Sequence, residues 1–280
     1  MNVLPGILHS ETFTHKAVIP HDGLTRLLEK VYAAKGWDFR DYKRSTLSRR
    51  LSKLLHSSRV SSCKEYSRIL DHDPSEYNRL FSAFTIKVSE FFREPEVFDV
   101  IEKVLRDEFS GAPAKAWCCG CAYGEEAYSL GILFSEQMSR KVLSESRIFA
   151  TDIDCEALEQ ARRAVYREEA VQNVPRGLRE KYLMPSDGLH RVGAGLRGTV
   201  RFGTLDIVQN HSIRGVNILL CRNLFIYFNK ALQEKVFQKL DYALKEGGIL
   251  VMGKAEVLPG PYADRYTPVV RGLNVYRKNR

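Results

Sequence analysis

An apolar run that ends abruptly in polar side chains is the strongest constraint on the fold of this 280-residue chain. The segment Val216–Cys221 is apolar except for Asn217, and Arg222, Asn223 and Tyr227 follow it closely. Such a run is typical of a strand that is covered on both faces of a parallel sheet. Ligands of open α/β sheets bind where these strands end at their carboxyl side, so we expect a functional site at this point.

Strand-like and helix-like segments alternate through the second part of the sequence. The predicted strands are Lys115–Cys119, Arg147–Thr151, Val216–Cys221 and Gly248–Met252. The predicted helices are 96–109, 155–163 and 230–244. This alternation predicts an α/β fold with a doubly wound, mostly parallel sheet.

Three regions differ in character from one another. The sequence predicts a helical N-terminal domain over residues 1–92, of which residues 1–20 are expected to be flexible. It predicts the α/β domain over residues 93–280. Residues 165–200 are polar and rich in turn residues, and they are too long for a simple loop, so they predict a small inserted β-subdomain. Within the helical domain, four leucines recur at helical spacing with basic residues between them, which predicts a helix with a basic outer side. These residues are Leu47, Leu51, Leu54 and Leu55, with Arg49, Arg50 and Lys53.

The positive charge of the chain is concentrated near its start. The formal net charge is +9, and residues 21–70 contain twelve lysines and arginines against five acidic residues, a net charge of +7. Such a segment can attract an acidic protein, a nucleic acid or an anionic lipid surface, and it can also be an ordinary solvated helix face. Charge alone leaves these alternatives open.

The composition also indicates the cellular location and the state of the cysteines. No apolar run reaches 18 residues, and residues 1–20 lack the basic start, apolar centre and cleavage site of a secretory signal. We therefore expect a cytoplasmic location without membrane insertion. The six cysteines form no disulfide framework, and Cys118, Cys119 and Cys121 lack the spacing and the histidines of a zinc site. Reduced thiols and no bound metal are expected.

The turn after the first predicted strand indicates the class of ligand. Gly120 and Gly124 allow the backbone to turn tightly and to approach a ligand, although the pattern differs from G-x-G-x-x-G and is weak by itself. Glu125 and Glu126 follow in the first turn of a helix, where they occupy the position at which a phosphate would otherwise bind. The pattern thus favours a nucleoside without phosphates, such as an adenosyl sulfonium.

Acidic residues after two further segments complete an adenosine pocket. Asp152 stands at the end of the second strand, where a carboxylate can accept both hydroxyl groups of a ribose. Asp154 is the predicted cap of the next helix. Asp206 follows Val200–Leu205 and can accept from an adenine amino group. Together these residues predict that an adenosine moiety binds at this edge.

Four motifs resemble those of the chemotaxis receptor methyltransferases of the CheR type. They are Ser89–Glu94, Trp117–Ser129, Ala150–Asp154 and Cys221–Phe228. The resemblance extends over nearly the whole chain from about residue 21, and the last motif is highly specific. It implies a Rossmann-like class I methyltransferase fold, S-adenosylmethionine as cofactor with S-adenosylhomocysteine as product, and methyl transfer to receptor glutamates.

The resemblance also implies roles for individual residues. Arg93 and Tyr227 would lie beside the transferred methyl group. The cofactor would contact Ser89, Arg93, Glu126, Asp152, Asp206, Ile207, Asn223 and Leu224. The 165–200 insertion is similar to the β-subdomain that docks on a receptor tail in some members. Three places depart from the family pattern: Lys87 stands where asparagine is usual, residues 122–127 read Ala-Tyr-Gly-Glu-Glu-Ala where Ser-Thr-Gly-Glu-Glu-Pro is frequent, and Gly253–Glu256 reads Gly-Lys-Ala-Glu.

Three functions remain as alternatives at this point. The first is a protein-glutamate O-methyltransferase whose basic domain binds acidic receptor helices. The second is a methyltransferase of RNA or DNA, which the charge suggests, or of another protein. The chain contains neither an Asn/Asp-Pro-Pro-Tyr/Phe tetrapeptide nor a Pro-Cys pair, so nucleic acid is disfavoured. The third is a regulator that binds S-adenosylmethionine without catalysis.

Overall fold

The computed structural model describes residue 19 and residues 21–85, 87 and 89–280. The chain divides into two compact units between residues 86 and 87. The sequence predicted this boundary after residue 92, whereas Phe91 and Phe92 are buried in the core of the second unit. The flexibility expected for residues 1–20 lies outside the described residues, except for residue 19.

The described part of the first unit is helical. Its helices are α1 (His21–Lys35), α2 (Arg44–Ser57), α3 (Cys63–His72) and α4 (Glu76–Phe84). Each helix buries an apolar stripe, and the four leucines of α2 that were predicted to face inward are buried. The side chains of Arg49 and Lys53 are exposed. The predicted amphipathic helix is therefore confirmed at these positions.

Arg50 is a correction to that prediction, because it does not lie on the outer side of α2. Its side chain is buried, and its Nη1 donates a hydrogen bond to the backbone carbonyl of Phe84 at the end of α4. A buried guanidinium needs such acceptors to offset its loss of water. The spacing of Arg50 could not reveal this, because α4 closes over that side of α2 only in the folded unit.

The second unit is the predicted α/β fold. Before the inserted region it contains α5 (Pro95–Phe109), β1 (Lys115–Cys119), α6 (Glu125–Gln137), α7 (Arg140–Glu145), β2 (Arg147–Asp152) and α8 (Cys155–Arg163). Of these, β1 and α8 have the predicted bounds, and β2 is one residue longer. Asp154 caps α8 as predicted, since its Oδ1 accepts from the amide of Ala157 at 3.0 Å.

The inserted region forms a separate small sheet. Its elements are β3 (Val165–Tyr166), α9 (Glu168–Val171), α10 (Arg176–Tyr182), β4 (Leu183–Ser186), β5 (Leu189–Val192) and α11 (Ala194–Arg197). The three strands are antiparallel in the order β3-β5-β4. The strand β4 is consequently an edge strand whose outer side carries no strand among the described residues.

The rest of the second unit completes the main sheet. Its elements are β6 (Val200–Thr204), β7 (Val216–Cys221), α12 (Lys230–Ala243), β8 (Leu244–Met252), β9 (Tyr266–Pro268) and β10 (Val275–Lys278), with two short 3₁₀ helices, Phe225–Tyr227 and Gly260–Arg265. The strand order is β6-β2-β1-β7-β8-β10-β9. The first five strands are parallel, and β10 and β9 pair antiparallel at one edge.

The centre of the sheet is tightly buried. Trp117 in β1 is fully buried between Phe149 of β2 and Leu219 of β7 in the strand register. Its indole Nε1 donates to Thr151 Oγ1 at 2.9 Å, so its polar atom is satisfied inside the core. This register aligns the carboxyl ends of β1, β2 and β7.

All six cysteines are free thiols, and five of them are buried. None of the described helices combines the length and apolar character needed to cross a membrane.

Candidate active site

The turn after β1 is held against the end of β2. The amides of Gly120 and Cys121 both donate to the carbonyl oxygen of Thr151, at 2.8 and 3.0 Å. Gly124 has φ +89°, and a Cβ there would come within 3.0 Å of Ala161 and of the Phe202 ring. The glycine is required for both reasons, and its turn directs the start of α6 toward the carboxyl edge of the sheet.

Asp152 lies beside this turn. Its Oδ2 accepts from the amide of Ala122 at 2.8 Å, and its Oδ1 accepts from the amide of Asp154 at 3.0 Å. Burial raises the pKa of Asp152, although these amides act in the opposite direction. A carboxylate offers about four acceptor positions. The acceptor capacity that the backbone amides leave over is available to the hydroxyl groups of a ribose.

The carboxylate of Asp206 accepts hydrogen bonds from the turn that follows it in the chain. Its Oδ1 accepts from the amide of Val208, and its Oδ2 accepts from the side chain of Gln209, both at 2.8 Å. The carbonyl oxygens of Ile207 and Val208 accept from Lys239 Nζ at 2.9 and 2.8 Å. These contacts fix the segment that carries Asp206 and Ile207, two of the predicted cofactor residues.

A buried ion cluster joins three segments of the site. Arg222 is fully buried, and its Nη1 donates to Glu126 Oε1. Its Nη2 lies 3.0 Å from Glu94 Oε2, outside hydrogen-bond geometry. Burial lowers the pKa of Arg222, but the two carboxylates outweigh this effect and the net shift is upward. The cluster fixes Glu94, which has φ +59° and directly follows Arg93.

Glu256 anchors the loop after β7 through backbone amides. Its Oε2 accepts from Gly253 at 2.7 Å and from Asn223 at 2.9 Å, and its Oε1 accepts from Phe225 at 2.7 Å and from Ile226 at 3.3 Å. A Cβ on Gly253 would lie 2.8 Å from the Asn223 amide nitrogen, so only glycine fits there. We call Glu94, Glu126, Arg222 and Glu256 the edge network.

This anchor positions two predicted cofactor residues. Asn223 has φ +57°, and the side chain of Leu224 lies about 3.6 Å from where a Cβ on Gly120 would be. Tyr227 follows in the 3₁₀ helix, with its amide donating to the carbonyl of Leu224 at 3.2 Å. The sequence identified Gly253–Glu256 only as a departure from the family pattern. An acidic residue four positions after a strand end was the available signal for Glu256.

The segment before α5 lines a cleft of about 940 Å³. Ser89, Arg93 and Glu125 are among its lining residues, together with Tyr123 and Tyr166. Of the predicted site residues, this cleft includes only Ser89 and Arg93. The other predicted residues lie outside the lining of the cleft, at the carboxyl edge of the sheet: Asp152 is the last residue of β2, Asp206 follows β6, and Asn223, Leu224 and Tyr227 follow β7.

Two buried hydrogen bonds hold the segment that carries Arg93. The amide of Phe91 donates to the carbonyl of Ala170 at 2.9 Å, and the amide of Phe92 donates to Ser129 Oγ at 3.0 Å. Ser129 Oγ in turn donates to the carbonyl of Glu125 at 2.8 Å. Hydrogen bonds from the amides of the two residues before Arg93 thus fix the position of this segment relative to α6.

Glu125 was not among the predicted site residues. Burial raises the pKa of Glu125 to about 7, although its own amide and the Ser89 hydroxyl oppose the shift. Its Oε2 has no hydrogen-bond partner within the described part of the chain. Lys87, at the start of the same segment, forms an ion pair with Asp154. Among the described residues, no group of three or more His, Cys, Asp or Glu could hold a metal ion.

Two family models match the chain, one for each unit. The model described as the CheR methyltransferase, SAM binding domain, matches residues 87–270, and the one described as the CheR methyltransferase, all-alpha domain, matches residues 22–85. The chain belongs to the CheR methyltransferase family. The predicted family, the Rossmann-like fold class and the S-adenosylmethionine-dependent protein methyltransferase are therefore confirmed.

Relatives of this family align with most of the chain. The methyltransferase-type protein Cher3 of Pseudomonas putida is 30% identical over 90% of this chain and 95% of its own. Chemotaxis protein methyltransferase 2 of Pseudomonas aeruginosa is 29% identical over 81% of this chain and 84% of its own. The chemotaxis protein methyltransferase of Escherichia coli is 27% identical over 94% and 93%. A CheR-type role in chemotaxis signalling, as predicted, is thereby confirmed.

Proposed function

We propose that this CheR-family protein transfers a methyl group from S-adenosylmethionine to glutamate side chains of a chemoreceptor-like protein, giving glutamate methyl esters and S-adenosylhomocysteine. The position of Arg93 is the observation that carries this proposal. Arg93 lines a cleft of about 940 Å³, on a segment fixed by buried hydrogen bonds and by the neighbouring Glu94–Arg222 ion pair. A guanidinium held in this way suits a carboxylate, because it can donate two parallel hydrogen bonds.

The residues at the carboxyl edge fit an adenosyl sulfonium. Glu125 and Glu126 open α6 with carboxylates, which disfavour a phosphate at that helix end, and Asp152 keeps acceptor capacity for a ribose. The residues proposed to hold the cofactor are Ser89, Arg93, Glu126, Asp152, Asp206, Ile207, Asn223 and Leu224. Because Glu126 is already paired with Arg222, its proposed contact uses the oxygen that this pair leaves over.

The proposed chemistry requires positioning more than acid–base catalysis. When bound, the cofactor supplies an activated methyl group. A glutamate carboxylate is ionised at neutral pH and is already a nucleophile, so alignment supplies much of the rate. Arg93 would orient the carboxylate, and the Tyr227 hydroxyl would contact the reacting oxygen. No metal is needed for this reaction.

Partner recognition is proposed for two regions. The exposed basic side of α2, with Arg49 and Lys53, supports binding to acidic receptor helices. The edge strand β4 supports binding of an extended receptor tail, because an edge strand leaves backbone groups available for a further strand. Met184 on β4 is 58% exposed and would contact the side chains of such a tail. Nucleic acid is not a proposed substrate, and the proposed location is the cytoplasm.

Transfer of radiolabelled methyl from S-adenosylmethionine tests the substrate class. Receptor-containing membranes and total RNA are the two parallel substrates, and alkaline release of labelled methanol is the readout. We expect alkali-labile label on protein only. Label on RNA would contradict the proposal, and an absence of label with intact cofactor binding would support a regulator instead.

Variants at the two ends of the site test the division of roles. Asp152→Ala should weaken S-adenosylhomocysteine binding by at least about tenfold, since it removes the ribose acceptor. Tyr227→Phe should preserve that binding and lower kcat by about tenfold. Exposed Asp187→Ala, in the turn between β4 and β5, is the matched control for cofactor binding. Equal loss of binding in the Asp152 and Tyr227 variants would refute these roles.

A further inference from the structure

A second cleft lies at the opposite end of the main sheet. Its volume is about 960 Å³, similar to that of the cleft beside Arg93. Two of its residues show its place: Arg214 lies two residues before β7, and Tyr242 lies two residues before β8. These strands are paired from their amino ends, at Val216 and Leu244, so the cleft lies at the amino ends of the strands. We call it the amino-end cleft, and its lining residues are His211, Ser212, Arg214, Lys235, Gln238, Lys239, Asp241, Tyr242, Tyr262, Arg265 and Lys278.

The lining of the amino-end cleft is strongly basic. It contains five lysines and arginines and a single acidic residue, Asp241. That carboxylate already forms two ion pairs. Its Oδ2 lies 2.9 Å from Arg265 Nη1, and its Oδ1 lies 3.3 Å from Lys278 Nζ. Its Oδ1 also accepts a hydrogen bond from the Tyr266 hydroxyl at 2.9 Å. One negative charge therefore serves two of the five cations.

Arg214 and Lys235 have no ion-pair partner in the described part of the chain, and the only acidic residue that acts on Lys239 is Asp206, through its charge. Arg214 and Lys235 are exposed, and neither lies within 4.0 Å of a carboxylate oxygen there. The Nζ atom of Lys239 donates to the carbonyls of Ile207, Val208 and Asn210, which satisfies its donors without neutralising its charge. Burial lowers the pKa of Lys239 and the positive charge of Lys235 lowers it further, while the charge of Asp206 opposes the shift only in part. An anion in the cleft would relieve this repulsion.

Positive charge continues beyond the lining. Lys115 Nζ donates to the carbonyl of Arg214 at 3.0 Å. A Cβ on Gly215 would lie 3.8 Å from both Lys115 Nζ and Lys245 Cε, so these two lysines lie close to Gly215, the residue next to Arg214. Concave surfaces lined by one sign of charge concentrate the field and attract ligands of opposite charge.

Aromatic rings accompany these cations. Tyr242 is 61% exposed, and its hydroxyl accepts from Arg214 Nη1 at 2.5 Å. The guanidinium carbon of Arg265 lies 5.9 Å from the centre of the Tyr262 ring. An exposed aromatic ring held beside guanidinium groups is a surface on which a planar base can stack.

We propose that the amino-end cleft binds a nucleoside di- or triphosphate, with its phosphates against Arg214 and Lys235 and its base against Tyr242. The concave shape favours a small ligand over a protein surface, because the volume lies within the roughly 300–1,000 Å³ typical of small-molecule sites. This site is separate from the proposed methyl-transfer site, which lies at the carboxyl ends of the strands. The proposal does not depend on the identity of the methyl acceptor.

Fluorescence titration of the full chain with methylanthraniloyl-labelled GTP tests this proposal. Saturating S-adenosylhomocysteine is included, so that the probe cannot report binding at the adenosyl site. We expect saturable binding that weakens as salt is raised, because the contacts are ionic. The double variant Arg214→Ala/Lys235→Ala should bind at least about tenfold more weakly, and Tyr242→Ala several-fold more weakly.

A matched control separates this site from general attraction by a basic protein. Lys141→Ala removes an exposed lysine on α7, outside the cleft lining, and should leave the affinity within about twofold. Calorimetric binding of S-adenosylhomocysteine establishes that each variant is folded. Absence of probe binding by the unmodified chain, or unchanged affinity in the double variant, would overturn the proposal. So would polyglutamate binding that depends on Arg214 and Lys235 while the nucleotide fails to bind, since that result identifies an acidic protein as the ligand.

Discussion

The two ends of the main sheet use charged residues in opposite ways. In the edge network, Arg222 lies between two carboxylates and Glu256 accepts from four backbone amides, so each charge is buried and has fixed partners. In the amino-end cleft, Asp241 is paired with only two of the five cations, Arg265 and Lys278, and Arg214 and Lys235 remain exposed. Buried and satisfied charges position the backbone around a reaction, whereas exposed and uncompensated charges remain available to a ligand.

Replacing Arg222 should give the largest effect on stability. Arg222→Met leaves the buried Glu126 and the partly exposed Glu94 without their cation, and we expect a loss of about 3 kcal/mol in unfolding free energy. Urea denaturation measures this loss. Adding Glu126→Gln to the variant should recover part of it, because one of the unpaired charges is then removed. A loss below about 1 kcal/mol would mean that the cluster is not buried in solution.

Replacing Glu256 should give an effect of similar size. Glu256→Ala leaves four backbone amides without their acceptor, and we expect a loss of about 3 kcal/mol together with weaker cofactor binding, since Asn223 and Leu224 lie in the released loop. Glu246→Ala, an exposed residue of β8, is the matched control. Equal effects of the two variants on unfolding would show that the anchor contributes nothing.

The pH dependence of Glu125 sharpens the comparison, because this carboxylate is buried at the carboxyl edge without a cation. Its pKa in the folded protein is about 7, above the ordinary 4.5, so the folded state keeps a proton that the unfolded state releases in this window. The unfolding free energy therefore falls as pH rises from 4.5 to 7, by about 3 kcal/mol from this group. Glu125→Gln should remove that part of the slope in denaturation curves taken across the window. An unchanged slope would show that Glu125 is ionised when folded.

The sequence predicted the elements whose apolar patterns are local. The bounds of β1, β7 and α8 agree with the predictions, and α12 is one residue shorter. The strand β8 begins at Leu244, whereas the sequence predicted Gly248. The prediction missed the first four residues because Lys245 and Glu246 interrupt the apolar pattern, and the pairing with β7 is irregular there. The strands β9 and β10 are short and carry few apolar residues, so no periodic pattern predicts the antiparallel edge.

The site was predictable only where a residue acts through its immediate neighbours. Asp154 caps the helix that follows it, which local sequence is enough to predict. The partners of Arg222 lie far away in the chain, with Glu126 at a separation of 96 residues. Arg50 likewise depends on α4, 34 residues further along. Such pairings arise from the packing of distant segments, and no local pattern of charge reveals which residue will be buried.

Replacing Lys235 should give the smallest effect and completes the comparison. Lys235 is exposed and lowers the pKa of Lys239 through like-charge repulsion, so Lys235→Ala should change the unfolding free energy by less than about 0.5 kcal/mol, in the stabilising direction. Lys235→Glu should stabilise slightly more, because it places an opposite charge near Lys239. Both are measured by urea denaturation at low and at high salt, and high salt should reduce the difference between them. A loss above about 1 kcal/mol for Lys235→Ala would show that this lysine is a structural residue, like those of the edge network, rather than one available to a ligand.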